Sequence, residues 1–475
     1  MIEKYNHKKY FFPSLGIVTL LTIVLAIFTE LYFIALIPLA ILIGVLFVLN
    51  FKQFYFLLIA SIPLCIEYEI PGGFSTDIPT EPLCVLLMIA TVLYFIGNSK
   101  IKTLDFLRSP FIAMIGIVWL WSVLCVFSSQ VPLVSFKFIL SKMWYIITYL
   151  ILTIMVINNL SNLRKLFWCF FIPLFFTVVY AFIRHSFNGF SFELMNEPSL
   201  PFYRNHVMYA ATITVFYPFI FYARTWYKPN TLIHYFLTFN ILFFPIAIYF
   251  TYTRACILAL VVGAVFYFII KWKRVKESLI AVFIAVILFS SFFYYHNNYL
   301  KYAPEFTKTV YHDSYDNHIE ATFEGNDASS MERVNMWIGA IRMFPHYPIF
   351  GVGPGNFYPF YKSYTVIHYH TWVSDNELKL SCHNYFLLLL AEQGLPGASL
   401  FIMLSCMIFI FIEKEYHLTN DPETKKLFLC LGAAFAMMYV NLTLSDMIET
   451  VKIGALFFIM IGLLINAKAK CFETD

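Results

Sequence analysis

Apolar stretches of about 17 to 20 residues recur almost from one end of this chain to the other. Each is long enough to cross a hydrocarbon core of about 30 Å as a helix. Lipid offers no partner for backbone N–H and C=O groups, so such stretches must satisfy them internally. The chain therefore reads as an all-α polytopic membrane protein. Of its 475 residues, 60% are hydrophobic, 20% aromatic and only 13% charged. Soluble domains run nearer 45–50% apolar and about 25% charged. The 32 Lys and Arg nearly cancel the 28 Asp and Glu. That balance excludes a disordered chain, a nucleic-acid binder working through a basic surface, and a soluble multi-domain enzyme.

Fourteen spans are expected, at 11–28, 31–49, 53–67, 81–97, 110–127, 137–157, 166–184, 206–223, 233–251, 254–270, 278–295, 384–412, 427–445 and 449–466. The split at 252–253 rests on length. As one straight helix, residues 233–270 would reach about 57 Å, so two spans joined at Thr251-Tyr252-Thr253-Arg254 fit better. Twenty basic residues, from Lys4 to Lys470, fall in one set of alternate loops, whereas the opposite short loops hold Lys137, Arg204, Arg254 and Lys452. The positive-inside rule then places both termini in the cytoplasm. The first apolar stretch runs into a second after Glu30 with no small-residue cleavage site, so no cleavable signal peptide is expected. No two of the nine Cys are spaced C-x-x-C, and they read as small buried hydrophobes.

One connection differs from the rest. Residues 296–382 form a loop of 87 residues between two spans, far beyond the usual helix–helix link. It divides the chain into an N-terminal bundle (1–295), the loop (296–382) and a C-terminal group of spans (383–475). The loop is rich in Tyr and, with His383, holds seven of the twelve His. Ser329-x-x-Glu332 reads as a capping box, followed by Val334, Trp337, Ile338, Ile341 and Phe344 on one apolar face, with Pro345 as the stop. Such a helix would lie on the membrane or on the bundle and hold Arg333 near the interface. Gly351-Val-Gly-Pro-Gly-Asn356 is a turn signal. It is a weak phosphate cradle, because no strand precedes it.

Three arginines stand out on the loop side. Arg254 and Arg204 each sit at the edge of a span, where a snorkelling end is as good a reading as a site. Arg333 alone reads as a solvated helix residue. Their shared side is what makes them candidates: several guanidinium groups at one depth suit a lipid-linked phosphate or pyrophosphate. His383 and Asn384 open the span 384–412, where a helix N-terminus lowers a histidine pKa and attracts anions. A neutral imidazole there could serve as a general base, or could simply be held by hydrogen bonds. Glu392 is half a turn off the face of His383, about half-way into a helix kinked at Gly394-Leu-Pro-Gly397. It could partner an arginine or act as a second acid/base group. His368-x-His370 with His383 or Asp375 lacks a locally specified third ligand, so no metal site and no cofactor are expected.

Arg333-x-x-x-Trp337, Pro345 and Pro348, Gly351-Val-Gly-Pro-Gly-Asn-Phe357, His383-Asn384-Tyr-Phe and Glu392-x-Gly-Leu-x-Gly397, in that order, resemble the O-antigen ligase/polymerase superfamily. Thr251-x-Thr253-Arg254 is similar to its Thr-x-Ser-Arg segment, with Thr in place of Ser. The specific part covers about 251–397. The resemblance implies a GT-C-like helical bundle with one large periplasmic loop in the bacterial inner membrane. It also implies a metal-independent inverting glycosyltransferase. The donor would be a glycan on undecaprenyl pyrophosphate, and the acceptor lipid A–core in a ligase, a second lipid-linked unit in a polymerase, or a protein Ser or Thr in an oligosaccharyltransferase. His383, Arg254 and Arg333 would be catalytic, and Arg204, Asn384 and Glu392 would contact substrate. From another class, a polysaccharide transporter or flippase would need ionisable groups at the midplane. Only Lys142 and Glu392 answer to that. A scaffold protein would leave the long loop without a role.

Overall fold

The computed structural model describes residues 21–22, 50–70, 74–97, 106–302, 328–366, 382–469 and 471–472. In chain order its helices are α1 (50–61), α2 (Thr80–Gly97), α3 (Pro110–Phe127), α4 (Pro132–Val156), α5 (Leu160–Phe187), α6 (His206–Arg224), α7 (Leu232–Tyr249), α8 (Arg254–Lys271), α9 (Val275–Tyr294), α10 (Ala328–Met343), α11 (Phe357–Tyr361), α12 (Tyr385–Leu418), α13 (Pro422–Leu442) and α14 (Val451–Lys468). Eleven of them, all but α1, α10 and α11, are long and apolar enough to cross a membrane. Each coincides within a few residues with an expected span. The expected spans 11–28 and 31–49 lie outside the described residues, save for 21 and 22.

The expected span 53–67 is helical only as far as 61. Pro63 cannot continue the helix. The alternating Ile66-Glu-Tyr-Glu-Ile70 then pairs antiparallel with Phe74–Ile78, the two strands of one small sheet. The turn at 250–253 is where length placed it, between the end of α7 and Arg254 at the start of α8.

Local chemistry marks many of the starts. Pro110, Pro132 and Pro422 open α3, α4 and α13, where the missing N–H costs nothing. Asn159, Asn205, Thr231, Asn384 and Asp421 each accept a backbone N–H from the first turn that follows. At the centre stand α13 and α14, with 78% and 94% of their spans buried. α8 lies antiparallel along α13. Glycines permit the approach: a Cβ on Gly263 would meet Met437 Cε at 2.3 Å, and one on Gly432 would meet Ile270 Cδ1 at 2.3 Å.

The decisive feature is α12, which is not one straight span. Gly394 has φ 68° and ψ −172°, a backbone state outside the helix and open to glycine. The ring of Tyr385 lies 4.8 Å from that of Phe401. In a straight helix those residues would be about 24 Å apart. The first arm, 385–393, therefore doubles back on the second, 395–418. The expected kink is a reversal, and Glu392 sits at the bend instead of half-way along a span.

α10 packs on α12, so of the two expected resting places the bundle is the one occupied. Its buried face differs from the one expected. Of Val334, Trp337, Ile338, Ile341 and Phe344 only Ile338 is fully buried, alongside Met331, Asn335, Met336, Gly339, Ala340 and Met343. The cause is a second partner: the chain after α11 crosses at Gly339, whose Cβ position is 3.5 Å from the Tyr361 carbonyl oxygen. Residue 328 is already helical, so Ser329 lies inside the helix and not at its cap. Pro345 does end it, in a short 3₁₀ turn at Phe344–His346.

A cysteine pair tests the reversal. In a background without the native cysteines, Tyr385→Cys with Phe401→Cys is expected to cross-link on oxidation, since disulfides need Cα atoms within about 7 Å. A straight α12 would leave the pair uncross-linked.

Candidate active site

The bend in α12 is where the segment 347–357 is fastened. Val352 and Gly353 donate their N–H groups to the carbonyls of Ala391 and Glu392, at 3.0 and 2.9 Å, and Leu395 N–H donates to Pro348 at 2.9 Å. The Glu392 carboxylate takes the Gly355 N–H on Oε2 at 2.8 Å and the Phe357 N–H on Oε1 at 2.9 Å. Both of its oxygens are thus engaged by this loop. The approach is so close that a Cβ on Gly351 would lie 2.1 Å from the Glu392 carbonyl carbon, and one on Gly394 2.1 Å from the Ile349 oxygen. Positive φ at 351, 353, 355 and 394 makes the same demand for glycine.

The α3–α4 turn completes this clasp. Asn356 Nδ2 donates to Ser129 Oγ at 2.6 Å, Ser135 Oγ donates to the Pro354 carbonyl at 2.7 Å, and Gln130 N–H donates to Val352 at 3.0 Å. Ser122 donates to Gln393 Oε1 at 2.9 Å. The N–H groups of residues 352, 353, 355 and 357 are therefore spent inside the protein, and a phosphate cradle is not what they form. None of Ser122, Ser129, Ser135 or Gln130 was singled out by sequence. Their partners are backbone groups or glycine-rich turns, which leave no spacing to read.

From the clasp two helices run side by side. His383 lies nine residues back along α12 from Glu392, and Arg333 lies ten residues back along α10 from Met343. α10 packs on α12, so the two run beside each other. There the Arg333 charge acts on the His383 imidazole. Burial is the larger cause and Arg333 the second; together they bring the His383 pKa from 6.5 down to about 4. The ring is neutral across physiological pH. His383 also has φ 53°, a left-handed conformation that costs a Cβ-bearing residue about 1–2 kcal/mol. Next to it, Asn384 caps α12 by accepting the Leu387 N–H at 3.0 Å, while its Nδ2 donates to the Thr443 carbonyl at 3.0 Å. Its side chain thus ties the foot of α12 to the end of α13.

Arg254 reaches the same place by another route. It is the first residue of α8, and Cys256, half a turn on, donates to Asn441 Oδ1 at 3.3 Å. Asn441 and Thr443 are two residues apart at the end of α13, so Arg254 and His383 flank one helix terminus. Thr251 and Thr253 are buried and bond within the turn, and the Tyr252 hydroxyl donates to the Phe190 carbonyl at 2.5 Å. Arg204 is exposed and precedes α6, whose cap Asn205 accepts the Met208 N–H at 2.9 Å. Its neighbour Tyr203 has its ring 5.0 Å from Lys452 Nζ, in the first turn of α14. The N-termini of α6, α8, α12 and α14 thus converge at the end of α13. Four positive helix ends and the arginines favour an anion beside the neutral imidazole, with Asp446 and Glu449 as the acids nearby.

Of the six residues singled out, Arg333 acts on His383, and Arg254 opens α8 beside the end of α13 to which Asn384 is tied. Arg204 lies at the same end on an exposed loop, Asn384 is a helix cap and tether, and Glu392 is the anchor of the clasp. His368, His370 and Asp375 lie outside the described residues. Among the described residues no three His, Cys, Asp or Glu side chains gather as a metal would need.

Removing one carboxylate oxygen should loosen the clasp. Glu392→Gln presents an amide N–H₂ to a backbone N–H and leaves a buried donor unmet, at a cost of about 1–3 kcal/mol. A lower thermal midpoint in detergent, and a larger drop for Gly351→Ala, are expected. Unchanged midpoints in both would contradict the clasp.

No curated protein matches the chain. Residues 239–402 match the family model described as O-antigen ligase, a segment that carries Arg254, Arg333, the clasp, His383 and the bend of α12. The segment 239–402 is thus an O-antigen ligase domain, which supports the O-antigen ligase superfamily and glycosyltransferase activity of ligase or polymerase type.

Proposed function

We propose that the chain transfers a glycan from undecaprenyl pyrophosphate to an acceptor hydroxyl at the periplasmic face of the inner membrane, as an O-antigen ligase with lipid A–core as acceptor. The observation that supports this reading is the Arg333 charge acting on a neutral His383, with Arg254 at the start of the helix beside the same end of α13. The two guanidinium groups clamp the pyrophosphate in planar, two-pronged fashion. His383 takes the proton of the attacking hydroxyl. The hydroxyl oxygen bonds to the anomeric carbon as the carbon–oxygen bond to pyrophosphate breaks from the opposite face, so the centre inverts. The electron pair leaves on pyrophosphate, whose added charge the arginines and helix N-termini neutralise. In this reaction the guanidinium groups supply the positive charge that a metal would otherwise bring, and no step is assigned to one. The basic loops of the chain lie in the cytoplasm, which turns the converging helix ends to the periplasm.

Alanine at His383 should lower turnover by roughly 10²–10⁴-fold, the usual worth of a positioned base. Alanine at Arg254 or Arg333 should lower it by roughly 10²–10³-fold, and lysine should not restore it fully. The assay is glycan transfer at equal membrane levels, and wild-type rates in all three alanine variants would end the proposal. In a deletion strain a ligase defect leaves polymerised chains on the lipid carrier, whereas single-repeat products would point to a polymerase.

The pH profile has a definite sign. A base whose pKa is lowered to about 4 stays competent from neutrality down to about pH 5 and fails only as it gains a proton near 4. Arg333→Gln removes one of the two causes, so its acid limb should move up toward 6.5 without reaching it. The measurement is residual kcat/KM against pH in both proteins. An acid limb that does not move, or moves down, would contradict the assignment.

A further inference from the structure

Cys65 differs from a small buried hydrophobe in what it touches. It lies between α1 and the two-stranded sheet and is fully buried. Lys452, the second residue of α14, reaches it across 387 positions of sequence and is itself only 3% exposed. The ammonium group has three acceptors: the Ile62 carbonyl at 3.2 Å, the Cys65 carbonyl at 3.0 Å and Cys65 Sγ at 2.7 Å. Sulfur is larger than oxygen and a weaker acceptor, so its contact should be the longest of the three. It is the shortest. Nζ is held against the sulfur at a separation that one bridging oxygen atom would span. The thiol donates in turn to the Ile62 carbonyl at 3.2 Å and to Asp77 Oδ1, on the strand 74–78, at 3.5 Å. The lysine charge is poorly placed as well. Burial strips its hydration, and the start of α14 is the positive end of a helix. The Asp77 charge offsets part of that cost.

We infer that Cys65 and Lys452 form a modification site, at which dioxygen joins sulfur to nitrogen through one oxygen atom as Sγ–O–Nζ. The thiol, the neutral amine and one dioxygen give the bridge and one water. The S–H bond and one N–H bond break, and an S–O and an N–O bond form. Sulfur and nitrogen each give up two electrons and dioxygen takes all four. Its second oxygen leaves as water with the two hydrogens. The bridge leaves a neutral nitrogen where a buried ammonium stood. Dioxygen is small and apolar, and the cover it must pass is thin: Ile66 is 41% exposed, and a sheet of two strands opens readily. The product ties the end of α1 to the foot of α14 by a covalent bond in the oxidised protein, where the reduced protein has hydrogen bonds alone. It also removes the Lys452 charge from beside the Tyr203 ring, 5.0 Å away. This goes beyond the glycan-transfer reading and does not rest on it.

The test is peptide mapping by mass spectrometry. Burial pushes the Cys65 thiol up to about 11, so oxidation is slow at neutrality. The full chain, purified in detergent with reductant and then freed of it, is therefore held in dioxygen-saturated buffer at about pH 9, where more of the thiol ionises. Proteolysis should yield the Cys65 and Lys452 peptides joined, with about 14 Da more than the two together, one oxygen gained and two hydrogens lost. Dioxygen carrying the heavy isotope should add about 2 Da to that, and dithiothreitol should separate the pair again. Cys65→Ser and Lys452→Arg should lose the joined pair, and Cys84→Ser should keep it. A joined pair about 2 Da lighter than its parts, a direct S–N bond, would overturn the proposal. So would sulfinic acid or a disulfide at Cys65, or no joined pair by the time the half-buried Cys169 and Cys406 have oxidised.

Discussion

The carboxylate of Glu392 and the two backbone N–H groups it holds set the frame for everything near it. A buried carboxylate needs such partners, and here they come from a loop more than thirty residues earlier in the chain. The bend at Gly394 exists to bring that loop in: glycines at 351 and 394 let two backbones come closer than any Cβ would permit. Once the clasp is closed, α10 and the first arm of α12 descend from it in parallel. From α10, which packs on that arm, the Arg333 charge acts on His383. A residue read as a substrate contact thus governs the site through geometry, with both of its oxygens already engaged.

At the foot of that arm positive helix ends and arginines stand near the acids Asp446 and Glu449. Helix N-termini gather at the end of α13, and arginines at 254 and 333 add full charges to their partial ones. The imidazole at 383 is kept neutral by burial and by Arg333 in concert. A cationic cradle beside an unprotonated base is the combination that a diphosphate leaving group and a hydroxyl nucleophile require. Burial does the larger part in keeping the imidazole free of a proton, and Arg333 adds to it.

What the sequence made legible follows the physics of each element. Apolar runs located the spans, because in lipid the helix has no competitor. Excess length exposed the turn at 250–253. The helix around Arg333 was readable from its period and from Pro345, but its buried face was not, because two partners cover it and periodicity assumes one. The break at Gly394 was visible as a kink. Its full reversal depends on Phe401 and on Pro348, contacts that local spacing does not encode. The role of Glu392 was out of reach for a related reason: it bonds backbone N–H groups, which every residue but proline carries. The convergence of Arg254 with His383 runs through Asn441 and Thr443, ordinary polar residues at the end of α13 with no motif to mark them.

The account stands or falls on where a diphosphate sits. Cryo-electron microscopy of the full chain in nanodiscs with undecaprenyl pyrophosphate measures this directly. The account predicts both phosphates within hydrogen-bonding reach of Arg254 and Arg333, with the His383 ring facing the side from which a hydroxyl would approach. A diphosphate bound elsewhere in the bundle, or one that touches neither arginine, would contradict it.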